Sequence, residues 1–185
     1  VESTTADGVR HAVSGTALGH AAGFGHKELC SALIKRGANV DGRDTRTGRT
    51  PLMLAARAGF VKVVKKLLDK GAHVNALANG NTSALLLAAE AQQGRTVRLL
   101  LDRGARLNQS DRYGWTALKY ACATGDAELA LELLKKGADV NVRYGKLPPG
   151  EKTNRNKARS TIELARKSGL EEVCSAIKAK DVQGG

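Results

Sequence analysis

The stretch TPLMLAARAGFVKVVKKLLDKGAHVN, Thr50 to Asn75, decides how this chain folds. Thr50 carries a hydroxyl that can accept a hydrogen bond from an orphan N–H of the following turn, as a helix N-cap does. Pro51 then falls at the first helical position, where its missing donor costs little. The pair Ala55-Ala56 lets that helix approach its neighbours closely. Val63, Val64, Leu67 and Leu68 recur at helical spacing and give a second helix a buried face. Gly71 can take the left-handed conformation that ends a helix, and Val74 leads into a connecting hairpin. One segment therefore predicts helix, turn, helix, hairpin.

The same order of parts returns along the chain. Thr16-Ala-Leu, Thr50-Pro-Leu, Ser83-Ala-Leu and Thr116-Ala-Leu follow one another at steps of 34, 33 and 33, and the closing glycines Gly37, Gly71, Gly104 and Gly137 keep the same steps. The small pairs Ala21-Ala22, Ala88-Ala89 and Ala121-Cys122 match Ala55-Ala56. Two independent markers in one register indicate an array of stacked units, because a single helix pair cannot bury its apolar face alone.

In period and in its TPLMLA opening, set against the family's T-P-L-H-x-A pattern, the Thr50 to Asn75 stretch resembles an ankyrin repeat almost throughout. The resemblance covers four full repeats, about Ser14 to Asn141, and a degenerate fifth copy, STIELARKSGLEEVCSAI from Ser160 to Ile177, fits a terminal cap. It implies an all-α ankyrin-repeat solenoid of helix-turn-helix units joined by β-hairpin loops. The expected divisions are an N-terminal extension or incomplete cap at 1–13, repeats at 14–47, 48–80, 81–113 and 114–144, an inserted basic hairpin loop at 145–157, a capping repeat at 158–180 and a tail at 181–185. In the cap, Arg166 replaces the second small residue, and Lys167, Glu171, Glu172 and Lys178 bring charge to the outer surface. Two departures stand out. The histidine of the family motif is replaced by Gly19, Met53, Leu86, Lys119 and Glu163, which removes its usual hydrogen bonds, and Gln92 stands where the other repeats have Gly25, Gly59 and Gly125.

Composition agrees with stacked helices. Apolar residues make up 42% of the 185, but aromatics only 3%, so Leu, Val and Ala must fill the core. Lys and Arg number 30 against 18 acidic residues, a formal charge of +12, which favours association with anionic partners. Three cysteines without CxxC spacing argue against a disulfide framework or zinc site and for a reducing, intracellular compartment, cytoplasmic or nuclear. The opening VESTTADG lacks the pattern of a signal peptide, and no apolar run approaches the roughly 20 residues of a membrane span. The expectation is a soluble monomer without transmembrane segment.

Catalysis finds no support in the motifs. Gly145 to Thr153 nearly spells a phosphate-binding loop, but Glu151 intrudes before Lys152, and Pro148 and Pro149 lack the N–H groups that would cradle phosphate. His20 and His26 lie six apart, with His11 and His73 isolated, so none pairs at the spacing of a metal site. Cys30, Cys122 and Cys174 fall at apolar or small positions, where a thiol packs as a small hydrophobe. Glu90, Asp126 and Glu128 are spread over different repeats with no convergent base or nucleophile. The chain is expected not to be an enzyme and to need no cofactor or metal.

Comparing the repeats with one another separates scaffold from recognition. Immediately before the caps stand Gly15, Arg49, Thr82, Trp115 and Arg159, and near the ends of the first helices stand Gly23-Phe24, Arg57-Ala58, Glu90-Ala91, Ala123-Thr124 and Lys167-Ser168. No shared structural need explains that spread. In the family, hairpin tips and first helices line a concave groove, so the resemblance assigns partner binding to Arg43, Arg46, Arg49, Arg57, Arg112 and Arg143 along one edge, with Tyr113 and Trp115 among them. Arg and Trp are enriched among interface hot spots. The alternative, a solvated arginine fringe with Trp115 packed on the next hairpin, stays open.

The step from Thr116 to Ser160 is 44, which inserts 11 residues in the last hairpin. Arg143, Lys146, Lys152, Arg155, Lys157 and Arg159 oppose Glu151 there, a net of five positive charges suited to an acidic partner, or a solvated loop. Lys62, Lys65, Lys66, Lys70, Arg95 and Arg98 fall on second helices, whose outer face is ordinary solvated surface. The leading functional expectation is a protein-interaction module for an acidic or phosphorylated segment. The alternatives are an anionic non-protein ligand, RNA or a phosphoinositide headgroup (anionic lipid), and the regulatory domain of a larger enzyme.

Overall fold

The computed structural model describes residues 16–141 and 160–183. Over them run ten α-helices in five antiparallel pairs: α1 (Ala17–Gly23) with α2 (Lys27–Lys35), α3 (Pro51–Ala58) with α4 (Val61–Asp69), α5 (Ala84–Glu90) with α6 (Gly94–Asp102), α7 (Ala117–Thr124) with α8 (Ala127–Lys135), and α9 (Thr161–Lys167) with α10 (Glu171–Gln183). First helices stack on first helices, α1 to α3 to α5 to α7 to α9, and second helices on second helices. The fold is the all-α solenoid expected from the period, and the fifth copy is a complete helix pair. Arg143 and the 145–157 insertion lie outside the described residues.

Local chemistry explains the elements. Thr16, Thr50, Ser83, Thr116 and Ser160 each accept a hydrogen bond from the amide three residues on, at 2.9 to 3.4 Å. The second helices end alike: Ala38, Ala72, Ala105 and Ala138 donate to Leu33, Leu67, Leu100 and Leu133 at 2.9 to 3.0 Å, each bond closing over a left-handed glycine. The small pairs are buried, with Ala22, Ala55, Ala56, Ala88, Ala89, Ala121 and Cys122 fully covered, so the first helices pack almost backbone to backbone. In the cap Ala165 is buried and Arg166 exposed.

Of the five residues at the place of the motif histidine, three make side-chain hydrogen bonds of their own. Lys119 is buried and its Nζ donates to the Gly114 carbonyl at 2.9 Å, Glu163 accepts from the Ser160 amide at 3.0 Å, and the Met53 Sδ accepts from the Thr50 amide at 3.5 Å. Burial lowers the Lys119 pKa, against the opposing attraction of Asp111 and Asp139. Gln92 does take the left-handed backbone of the glycines it replaces, at φ 56 against 79, 76 and 79 at Gly25, Gly59 and Gly125. Its side chain offsets part of that strain by donating to the Thr124 carbonyl of the next repeat at 2.8 Å.

Between repeats runs a polar ladder. Asp41 accepts from the His73 amide, the Asn75 Oδ1 from the Arg106 amide at 2.8 Å, and the Asn108 Oδ1 from the Asp139 amide at 2.9 Å. On the outer face Arg98 bridges Glu128 and Glu132, and Arg103 pairs with Asp69 at 2.9 Å. One buried polar atom has no partner among the described residues, the Thr96 Oγ1. Val63 and Leu129 hold the same place in the neighbouring repeats. Replacing Thr96 with the isosteric valine is expected to raise the unfolding free energy by about 1 kcal/mol, because it removes an unmet desolvation cost without changing shape. Urea titration of the two proteins reads that difference, and a destabilised variant would show that the hydroxyl is bonded after all.

Candidate functional site

The connecting loops are built by an aspartate. Asp44 accepts from the amides of Arg46, Thr47 and Arg49 and from the Thr47 hydroxyl, winding 44–49 into a tight tip. Burial pushes its carboxyl up, but the hydrogen bonds from Thr47, Arg49 and Arg46 outweigh it and hold it below the ordinary aspartate range. Asp111 repeats the device with the amides of Tyr113 and Trp115, at 2.8 and 2.9 Å. In the second repeat Ala78 stands at that position, and the loop closes instead through an Ala78–Thr82 bridge around a 3-10 turn at Asn79–Asn81. Among the described residues that bridge is isolated and no strand forms, so the expected β-hairpins are turns.

These tips are joined edge to edge. The Asn79 amide donates to the Thr47 carbonyl at 3.0 Å and its side chain to the Arg46 carbonyl at 3.2 Å. The Arg112 amide in turn donates to the Gly80 carbonyl at 2.8 Å. Three successive tips thus form one continuous rim, with Arg46 at one end and Arg112 and Tyr113 at the other.

The expected site residues have unequal roles on that rim. Arg46 is exposed, and its side chain has no bonded partner among the described residues; Arg57, in the last turn of α3, is in the same condition. Arg49 is half-buried and enters the tip through its backbone. Arg43 is a clamp: its Nη1 donates to the carbonyls of Gly48 at 2.9 Å and Leu77 at 2.6 Å, tying two tips together. Arg112 lies over Gly80 and holds its guanidinium carbon 6.0 Å from the Tyr113 ring centre, while Tyr113 is 59% exposed. Trp115 is half-buried and packs on Tyr120 of its own repeat, ring centres 5.0 Å apart, rather than reaching along the rim. Arg143 lies outside the described residues.

One neighbour escaped the sequence comparison, and another, Glu90, was named there without a role. Tyr120, at the place of Leu54 and Leu87 in the other first helices, donates to the Asp111 Oδ2 at 3.0 Å. Burial, with Asp111 and Glu90 nearby, pushes its phenol pKa far up, so it remains a neutral donor. Glu90 is exposed at the place Arg57 holds one repeat earlier, so the positive charge is concentrated toward the second repeat. The signal for both was the internal alignment at steps of 33.

Chemistry beyond binding has no assembled site among the described residues. No group of three or more His, Cys, Asp or Glu there could hold a metal. The three cysteines are buried and unbridged, and burial, then the nearby Cys174, pushes the Cys122 thiol up to about 12. No described helix is long and apolar enough to cross a membrane.

Comparison with known proteins matches this sequence to a family. A family model described as ankyrin repeats (3 copies) matches residues 4–78 and 76–144. The chain is 52% identical over 61 residues to the ankyrin repeat and KH domain-containing protein mask of Drosophila melanogaster, which is 33% of this chain and 2% of that protein. The same figures hold for the human ankyrin repeat and KH domain-containing protein 1. To the mouse B-cell lymphoma 3 protein homolog it is 40% identical over 70 residues, 38% of this chain and 16% of that protein. The matches thus span only a small fraction of each relative.

Proposed function

The chain belongs to the ankyrin-repeat family, whose repeats are generally protein–protein interaction modules, and we propose that it holds an acidic or phosphorylated segment of another protein against its basic rim and first helices. The observation that carries this reading is the unbroken line of hydrogen-bonded tips that presents Arg46, Arg112 and Tyr113 on one edge while Arg57 stands at the far end of α3. Arginines without bonded partners remain available for bidentate pairing with carboxylate or phosphate. Arg43 contributes by fixing the tips, so the rim is ordered before the partner arrives. Trp115 and Tyr120 add a half-buried aromatic step beside it.

Titration of the full chain with a glutamate-rich peptide, its phosphoserine counterpart and a glutamine-substituted twin tests this reading. The two anionic peptides are expected to bind at least about tenfold more tightly than the neutral one, with a shallow dependence on salt. A nucleic acid that bound more tightly, with the steep salt slope of counterion release, would overturn it.

A further inference from the structure

Phe24 is the most exposed large apolar side chain among the described residues, at 70%, in a chain with few aromatics to spend. It caps α1, and its ring stacks only on His26, centres 6.4 Å apart. Phe60, 37% exposed, leans against the same turn: a Cβ added at Gly25 would stand 2.8 Å from its ring carbons. Three rings therefore surround Gly25 at the ends of the first helices of repeats one and two.

The end of the stack does not account for this exposure. Leu29 is also 49% exposed, but its counterparts Val63, Thr96 and Leu129 are all buried by neighbours, so its exposure belongs to the end of the array. The counterparts of Phe24 are Ala58, Ala91, Thr124 and Ser168, and every one of them is exposed or half-exposed. That position faces solvent throughout, and only the first repeat puts a phenylalanine there. The counterparts of Phe60 are His26, Gln93, Asp126 and Leu170. Phe24 answers no need the scaffold repeats elsewhere, the place of Phe60 is apolar again only at the half-buried Leu170, and exposed apolar clusters beside charge mark interaction sites.

Arg57 lies three residues before Phe60. The eight residues of α3 separate Arg49, at the rim, from this cluster, a distance of about 12 Å at helical rise. An extended peptide covers that in roughly four residues. We infer that the rings of Phe24 and Phe60 form an anchor pocket for one apolar side chain of the partner segment, about four positions from the acidic residues held by Arg46 and Arg49 and beside one held by Arg57. This rests on the reading of the basic groove and narrows it: the partner is a short linear segment with an apolar anchor and neighbouring acids. Burying such an anchor side chain is worth about tenfold or more in affinity.

A random peptide library selected on the full chain tests the inference, followed by dissociation constants of the recovered peptides. Recovered sequences are expected to share an aromatic or large aliphatic residue near acids. Phe24→Thr combined with Phe60→Gln, residues that other repeats carry at those places, is expected to weaken these peptides about tenfold, with circular dichroism unchanged. Serine in place of the anchor should weaken binding to wild type by the same factor and leave the double variant indifferent. Acid-rich peptides without an apolar residue, bound equally by both proteins, would overturn the anchor while leaving the groove reading intact. Selection of no acidic sequences would overturn both. Sedimentation showing self-association that the double variant abolishes would assign the rings to a second copy of the chain and overturn the anchor.

Discussion

Truncating Leu85 to alanine is expected to lower the unfolding free energy by about 3 kcal/mol, within the range for a leucine removed from a packed core. Leu85 is 1% exposed on α5, and α5 packs against both α3 and α7. In a stacked array each repeat is held mainly by its neighbours, so a cavity in the central unit weakens two interfaces at once. Equilibrium urea unfolding followed by circular dichroism measures the loss. A decrease below about 1 kcal/mol would mean that the interfaces around α5 are looser than their burial implies.

Reversing three charges, Arg46→Glu, Arg49→Glu and Arg57→Glu, is expected to weaken capture of an anionic peptide at least about thirtyfold, the equivalent of about 2 kcal/mol. The effect should exceed simple loss of attraction, because like charges then face the ligand. Arg46 and Arg57 are exposed and make no side-chain bond among the described residues, so helical circular dichroism should remain that of the wild type. Arg43 is left untouched because its two bonds to the Gly48 and Leu77 carbonyls make it part of the scaffold. Retained affinity would place the site elsewhere on the solenoid.

The fold was legible because its signals are local and repeated. Thr50, Ser83 and Thr116 cap the helices they precede, Gly71 and Gly104 end the helices they follow, and neither needs distant information. Even the strain at Gln92 could be read by comparing repeats, since one register had no glycine where the others did. Side-chain partners between repeats were not legible. Arg43 looks like a free cation until Leu77, a full repeat away in sequence, is brought beside it, and Trp115 looks like a free anchor until the α7 register turns Tyr120 toward it. The buried Lys119 was read only as a lost histidine, because its use of the Gly114 carbonyl depends on how the tip folds back over α7. Comparing repeats placed Phe24 among the variable first-helix ends, but that it stands open to solvent beside Phe60 follows only from how the repeats pack.

We propose a division of labour between the two kinds of helix: second helices build the outer wall, while first helices and the rim meet the partner. Amide chemical-shift mapping by nuclear magnetic resonance of the full chain, titrated with a glutamate-rich peptide, tests that division directly. Shifts confined to residues 44–49, 78–82 and 111–115 and to α3, α5 and α7 are the predicted result. Shifts concentrated on α4, α6 and α8, with the rim unmoved, would contradict it.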